Sequence, residues 1–138
     1  MKLALILALF FGICLEADAQ HMNSPEAPCR NLGGTSDMVQ CFSGELDKQN
    51  AELNKTYQAT LHSLKIKAGA SNKTDEDQLR ASERLWMQFR DTNCKAEYEL
   101  YEGGSAAPTV RLACEEEMTR KRVEELKTMY GWVMEKWN

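Results

Sequence analysis

Hydrophobic and polar positions follow three helical patterns after an irregular start. Val39, Phe42, Leu46, Leu53, Tyr57, Leu61 and Leu64 step by threes, fours and sevens. At about 100° per residue they fall within one stripe roughly 100° wide, which predicts a helix from about Ser36 to Lys67. Thr35, Ser36 and Asp37 offer N-caps, and Asp37 with Gln40 makes a weak capping box. The segment Ala68-Gly69-Ala70-Ser71-Asn72 breaks the pattern. A second helix is predicted from near Thr74, where Asp75, Glu76 and Asp77 suit the positive end of the helix dipole, to about Glu102. Its expected inner line is Leu79, Ser82, Trp86, Phe89, Asn93, Ala96 and Leu100. Gly103-Gly104 ends it with residues that suit a left-handed cap. A third helix starts at Pro108 and continues through Met118, Leu126, Met129, Tyr130, Val133 and Trp137. No strand-like alternation of useful length intervenes, and short connections favour antiparallel neighbours. The expected fold is all-α: a small three-helix bundle in residues 36–138, with a long antiparallel hairpin turning at Gly103–Ala107. Residues 20–35, with Pro25, Pro28, Gly33 and Gly34 and no periodicity, form an irregular N-terminal segment.

Composition changes the picture at the N-terminus. The chain has 138 residues and is 43% hydrophobic, but much of that sits in the first 19. Lys2 supplies a positive start, Leu3–Leu15 is an apolar run too short to span a bilayer comfortably, and Ala17-Asp18-Ala19 fits a small-x-small cleavage rule. Residues 1–19 therefore read as a signal peptide cleaved before Gln20. A lipoprotein anchored through Cys14 is disfavoured, because bulky Ile13 stands where a lipobox needs a small residue. The expected destination is the periplasm or the medium, without stable membrane insertion after cleavage.

Cleavage leaves four cysteines: Cys29, Cys41, Cys94 and Cys114. An even count in an exported chain reads as disulfides, and four cysteines allow three pairings. Cys94 lies about 12 Å before the expected helix end and Cys114 about 9 Å after the next helix begins, so the two sit nearly level across the hairpin. Cys41 falls about 140° from the centre of its apolar stripe, where the outer segment carrying Cys29 can reach it. The expected bridges are Cys29–Cys41 and Cys94–Cys114. A zinc site or a redox-active pair lacks any C-x-x-C.

The charge of −4, from 17 basic and 21 acidic residues, shows no basic arm for nucleic acid. Catalysis finds little footing. His21 lies in the irregular start, and His62 lies about 160° from its helix's apolar stripe. No G-x-S-x-G, H-E-x-x-H or phosphate loop occurs. The run Glu115-Glu116-Glu117 reads as a solvated helix face. The chain is read as a non-enzyme with no cofactor and no metal. Arg90 and Arg122 each lie about 40° from an apolar stripe residue, Trp86 and Leu126, and a charge there needs a partner. Asp47, Glu52, Glu83 and Glu97 are candidates. Gly103-Gly104-Ser105 is a small-residue tip that could enter a partner's cleft. Trp132, about 120° off its stripe, is a candidate interface anchor. Asn54-Lys55-Thr56 and Asn72-Lys73-Thr74 match glycosylation acceptors, a short pattern that arises by chance.

Several motifs together resemble one family. Leu79-Arg80-Ala81-Ser82-Glu83-Arg84-Leu85-Trp86-Met87-Gln88-Phe89-Arg90-Asp91-Thr92-Asn93-Cys94 resembles the core signature of the LprI-type lysozyme inhibitor N-terminal domain. That signature reads L-R-x-A-Q-R-x-W-x-x-[YF]-R-D-x-x-C, with Ser82-Glu83 here in place of Ala-Gln. Gly103-Gly104-Ser105 matches the family's turn, and Cys114, Thr119, Arg122 and Leu126 its closing C-x4-T-x2-R-x3-L. Upstream, Cys41, Asp47, Leu53-Asn54 and Tyr57 fit C-x5-D-x5-L-N-x2-Y. The resemblance implies an exported helical domain with disulfides whose partner is lysozyme or another exported protein. It suggests Gly103, Gly104 and Ser105 for contact, with Trp86, Arg90, Asp91 and Arg122 as scaffold. The rival expectation is an envelope interaction module of another kind, such as an immunity protein to a secreted toxin or an assembly adaptor.

Overall fold

The computed structural model describes residues 21–68 and 74–137. The leader, its cleavage after Ala19, Cys14, most of the break at 68–72 and Asn72 lie outside the described residues. Three helices make up the fold: α1 (Thr35–Ala68), α2 (Thr74–Leu100) and α3 (Ala107–Trp137), preceded by a single 3-10 turn at His21–Asn23. No strand occurs among the described residues.

The helix ends follow local chemistry. α1 starts one residue early, so Gly34 caps it: the Met38 amide donates to the Gly34 carbonyl at 2.9 Å. Asp37 falls in the first turn, where its charge favours the helix dipole. α2 stops at Leu100, two residues short of expectation, and the chain tightens through 3-10-type turn bonds from Tyr101 to Tyr98 and Glu102 to Glu99. Gly103 then takes φ +85°, which an L side chain adopts only at a cost. Pro108 sits in the first turn of α3, where its missing N–H forfeits no helical bond.

The chain runs up, down and up, so α1 and α3 are parallel, and they form the most extensive pairing. α2 packs mainly on α3 and lies more loosely against α1. The main core joins Leu53, Leu61 and Leu64 of α1 to Leu79 of α2 and to Val123, Leu126 and Val133 of α3. Tyr57, Trp86, Tyr130 and Trp137 close its edges. A second, smaller cluster near the start of α3 brings Ala27 and Cys29 onto Phe42 and Ala113. The N-terminal segment is thus irregular in backbone yet packed.

Both expected disulfides are present, Cys29–Cys41 and Cys94–Cys114. Closing loops of 12 and 20 residues, each removes about 3 kcal/mol of chain entropy from the unfolded state. A bundle with so narrow an apolar core needs such bracing.

Two expectations about which face points inward are corrected. On α2, Phe89 and Leu100 are 61% and 82% exposed, and Ser82 and Ala96 also face water. The inner line runs instead through Leu79, Glu83, Trp86, Arg90, Cys94 and Glu97. On α3, the supposedly solvated run turns inward: Glu116 and Glu117 are buried. On α2 the inward charges meet partners from other helices, and on α3 Glu117 is met by His21 and Lys121 and Glu116 by Arg120.

Candidate functional site

The hairpin tip is built on a brace. Cys94 lies six residues before the end of α2 and Cys114 seven after the start of α3, so the disulfide crosses the hairpin about 10 Å beneath the turn. Gly103, Gly104 and Ser105 are exposed above it. Gly104 amide donates to the Tyr101 carbonyl at 3.0 Å, and a Cβ at Gly104 would stand 3.2 Å from that same oxygen. The turn itself therefore favours glycine at position 104.

The tip is electronegative. α2 carries no basic residue in its last turn, and the exposed Glu99 and Glu102 sit at the negative end of its dipole. Acids in that position oppose the dipole. Lys95 offsets one of them by approaching Glu99 at 3.5 Å.

Beneath the tip, His21 clasps the hairpin from outside. Its Nε2 lies 2.9 Å from Glu97 Oε1 and its Nδ1 2.9 Å from Glu117 Oε2. An imidazolium donates to both; a neutral ring donates to only one. Asn93 Nδ2 also donates to Glu97 Oε1, at 3.2 Å, while Glu97 Oε2 is buried without a partner among the described residues. Burial pushes the Glu117 carboxyl up, but hydrogen bonds from Lys121 and His21 outweigh it and leave it lowered. Its neighbour Glu116 is raised by burial, against the pull of Arg120 at 3.7 Å. Sequence reasoning missed this clasp: a single histidine in a proline-rich segment carries no periodic signal.

His21, Glu97 and Cys114 approach within 4.8 Å, a spacing that could hold a metal ion. The donor set does not fit one. Cys114 sulfur is bonded to Cys94, so it is no thiolate, and both imidazole nitrogens already face carboxylates.

Midway along the bundle, two arginines flank one tryptophan. The Arg90 and Arg122 guanidinium carbons lie 5.4 and 5.7 Å from the Trp86 ring centre. Arg122 grips Glu83 of α2 through Nε at 3.3 Å and Nη2 at 3.2 Å. Arg90 donates to Thr119 of α3 at 3.1 Å, to Asn50 of α1 at 3.3 Å and to neighbouring Asp91 at 2.9–3.0 Å. All three helices meet here through charged and aromatic groups. Of the four acids considered as arginine partners, Glu83 takes the role and Glu97 goes to His21. Glu52 pairs with Lys127 at 2.7 Å, which lowers its carboxyl.

Trp132 lies at the opposite end from the tip, 57% exposed, with the Lys67 ammonium 5.5 Å from its ring centre. The structure therefore does not bring Trp132 together with Gly103, Gly104 and Ser105. Among the described residues no helix is long and apolar enough to cross a membrane.

Comparison with known proteins finds one relative and one family model. The chain is 30% identical over 128 residues to an uncharacterized protein of Rhizobium meliloti (strain 1021), covering 88% of this chain and 91% of that one. No solved structure matches. Residues 28–126 match the family described as lysozyme inhibitor LprI. That span runs from beside Cys29 to Leu126 and takes in both disulfides, the tip and the arginine–tryptophan cluster. The chain belongs to the LprI lysozyme inhibitor family.

Proposed function

We propose that this chain is an exported binding protein that inhibits lysozyme by occluding its glycan cleft. The observation that carries the reading is the family match over residues 28–126. The inhibition is steric and needs no catalytic group. A muramidase cleaves between two carboxylates in a cleft, and a rigid protrusion seated there excludes the glycan. Gly103, Gly104 and Ser105 supply a narrow protrusion, and the Cys94–Cys114 bridge beneath it limits the entropy lost on docking. Glu99 and Glu102 beside it would steer a cationic target. Removal of residues 1–19 would deliver the chain to an oxidising compartment, where both bridges form.

The test is direct. Oxidised chain beginning at Gln20 should slow lysis of a cell-wall substrate at near-stoichiometric ratios. Replacing Ser105 with a bulky residue should weaken inhibition without altering the melting curve. Folded protein that leaves lysis unchanged across lysozyme types refutes the proposal.

A further inference from the structure

Between α1 and α2 the loose packing leaves a groove of about 360 Å³. Leu53, Tyr57 and Met87 supply its apolar surface, and Arg80, Arg84 and Arg90 supply its charge. The only acid lining it among the described residues, Glu83, is already held by Arg122 at 3.2 Å. The groove is therefore basic, on a chain whose net charge is −4.

Its arginines differ in how they are held. Arg90 is fixed by Asn50, Asp91 and Thr119, with Trp86 beside its guanidinium. Arg80 reaches Glu76 only at 3.7 Å. Arg84 has no ion pair or hydrogen bond among the described residues. Arg80 and Arg84 stand four apart on α2, a spacing at which like charges repel. An anion between them would relieve that repulsion, and a guanidinium matches a carboxylate in a planar, two-bonded arrangement.

We propose that this groove binds a short acidic peptide segment, with a carboxylate between Arg80 and Arg84 and an adjacent apolar side chain against Tyr57 and Met87. The apolar surface favours a peptide over a bare anion, which would leave it wet. The volume lies within the range of pockets that hold small ligands. Met87 lies about 20 Å along α2 from the helix end at Leu100, so an occupied groove leaves the tip free. The site is independent of the lysozyme reading.

The test uses the oxidised chain from Gln20 and a fluorescein-labelled peptide alternating leucine and glutamate, read by fluorescence anisotropy at low salt. Saturable binding is expected, at least about tenfold weaker for the glutamine counterpart and for the Arg80→Ala/Arg84→Ala double variant. Both replaced side chains are exposed, so that variant should keep its helical circular dichroism and melting curve. Binding that is equal for the glutamine peptide, unchanged in the double variant, or unsaturated at millimolar peptide overturns the proposal. Equally tight competition by inorganic phosphate overturns it in favour of a bare anion site. Anisotropy reads the groove and the lysis assay reads the tip, so either proposal can fail alone.

Discussion

Arg122→Ala should be among the most costly single changes in this bundle outside the disulfides. The Arg122 and Glu83 side chains are only 12% and 9% exposed, and Arg122 approaches Glu83 through two nitrogens. Truncating Arg122 removes the only cation paired with Glu83 among the described residues and leaves a carboxylate largely shielded from water. Breaking a buried pair this way costs about 3–5 kcal/mol, and residual exposure places this one near the lower end. Losing the guanidinium beside Trp86 adds about 1 kcal/mol. The second partner, Glu125, is 56% exposed, and its loss adds almost nothing. The expected total is about 3–4 kcal/mol, a large share of the ~5–15 kcal/mol that holds an ordinary domain. Urea denaturation of the oxidised protein, analysed as a double-mutant cycle with Glu83→Ala, measures it. The two single changes should be far from additive, with a coupling of about 2 kcal/mol or more. Arg122→Met with Glu83→Leu should recover to within about 1 kcal/mol of the parent, because an apolar pair of similar size avoids the desolvation cost. A loss below about 1 kcal/mol for Arg122→Ala, or simple additivity, would show that water already solvates this pair and refute the reasoning.

Other outcomes follow from the same geometry. Replacing Cys94 and Cys114 together by Ser should cost about 3 kcal/mol in urea denaturation, from the 20-residue loop it reopens. Gly103→Ala should cost about 1 kcal/mol, since φ +85° strains any L side chain even with open space around it. The adjacent glutamates should respond with opposite signs. Glu117 is lowered in the fold, so its stabilisation is complete above the unfolded-state value and is lost as pH falls through the folded one. Glu116 is raised by burial, so it imposes a penalty at neutral pH that disappears on acidification. Glu117→Gln should therefore melt lower than the parent at neutral pH and Glu116→Gln higher, with both differences shrinking below about pH 4.

How much was legible in the sequence differs from helix to helix. On α1, apolar periodicity and burial agree: Phe42, Leu46, Leu53, Leu61 and Leu64 are all buried. The tip was equally readable, because paired glycines before a proline have few other uses. On α2 the same rule fails. Its apolar residues lie on both sides of the helix, and Phe89 and Leu100 face water while Glu83 and Arg90 turn inward. Those charges are tolerated only because partners arrive from other helices, Arg122 and Thr119 of α3 and Asn50 of α1. A local pattern cannot encode a partner thirty or forty positions away. The angular argument did flag Arg90 and Arg122 as charges that need company, and Glu83 stood among the candidates. Glu116 and Glu117 were misread for the converse reason. A run of acids looks solvated until Arg120, Lys121 and His21 are seen beside it.

The uneven attachment of α2 also sets the order in which the molecule breathes. Among its described residues only Leu79, Glu83 and Cys94 are buried, whereas α3 buries residues along most of its length. Its far end is covalently pinned at Cys94, so a partial opening that leaves the disulfide intact starts in the turns before Leu79. Backbone amides of the first turns of α2 should then exchange with solvent deuterium sooner than those around Cys94, through a sub-global opening cheaper than unfolding. The hairpin tip would keep its shape throughout such an excursion. Local stability in α2 thus rests on a covalent pin at the turn end and on Leu79 and Glu83 toward the other.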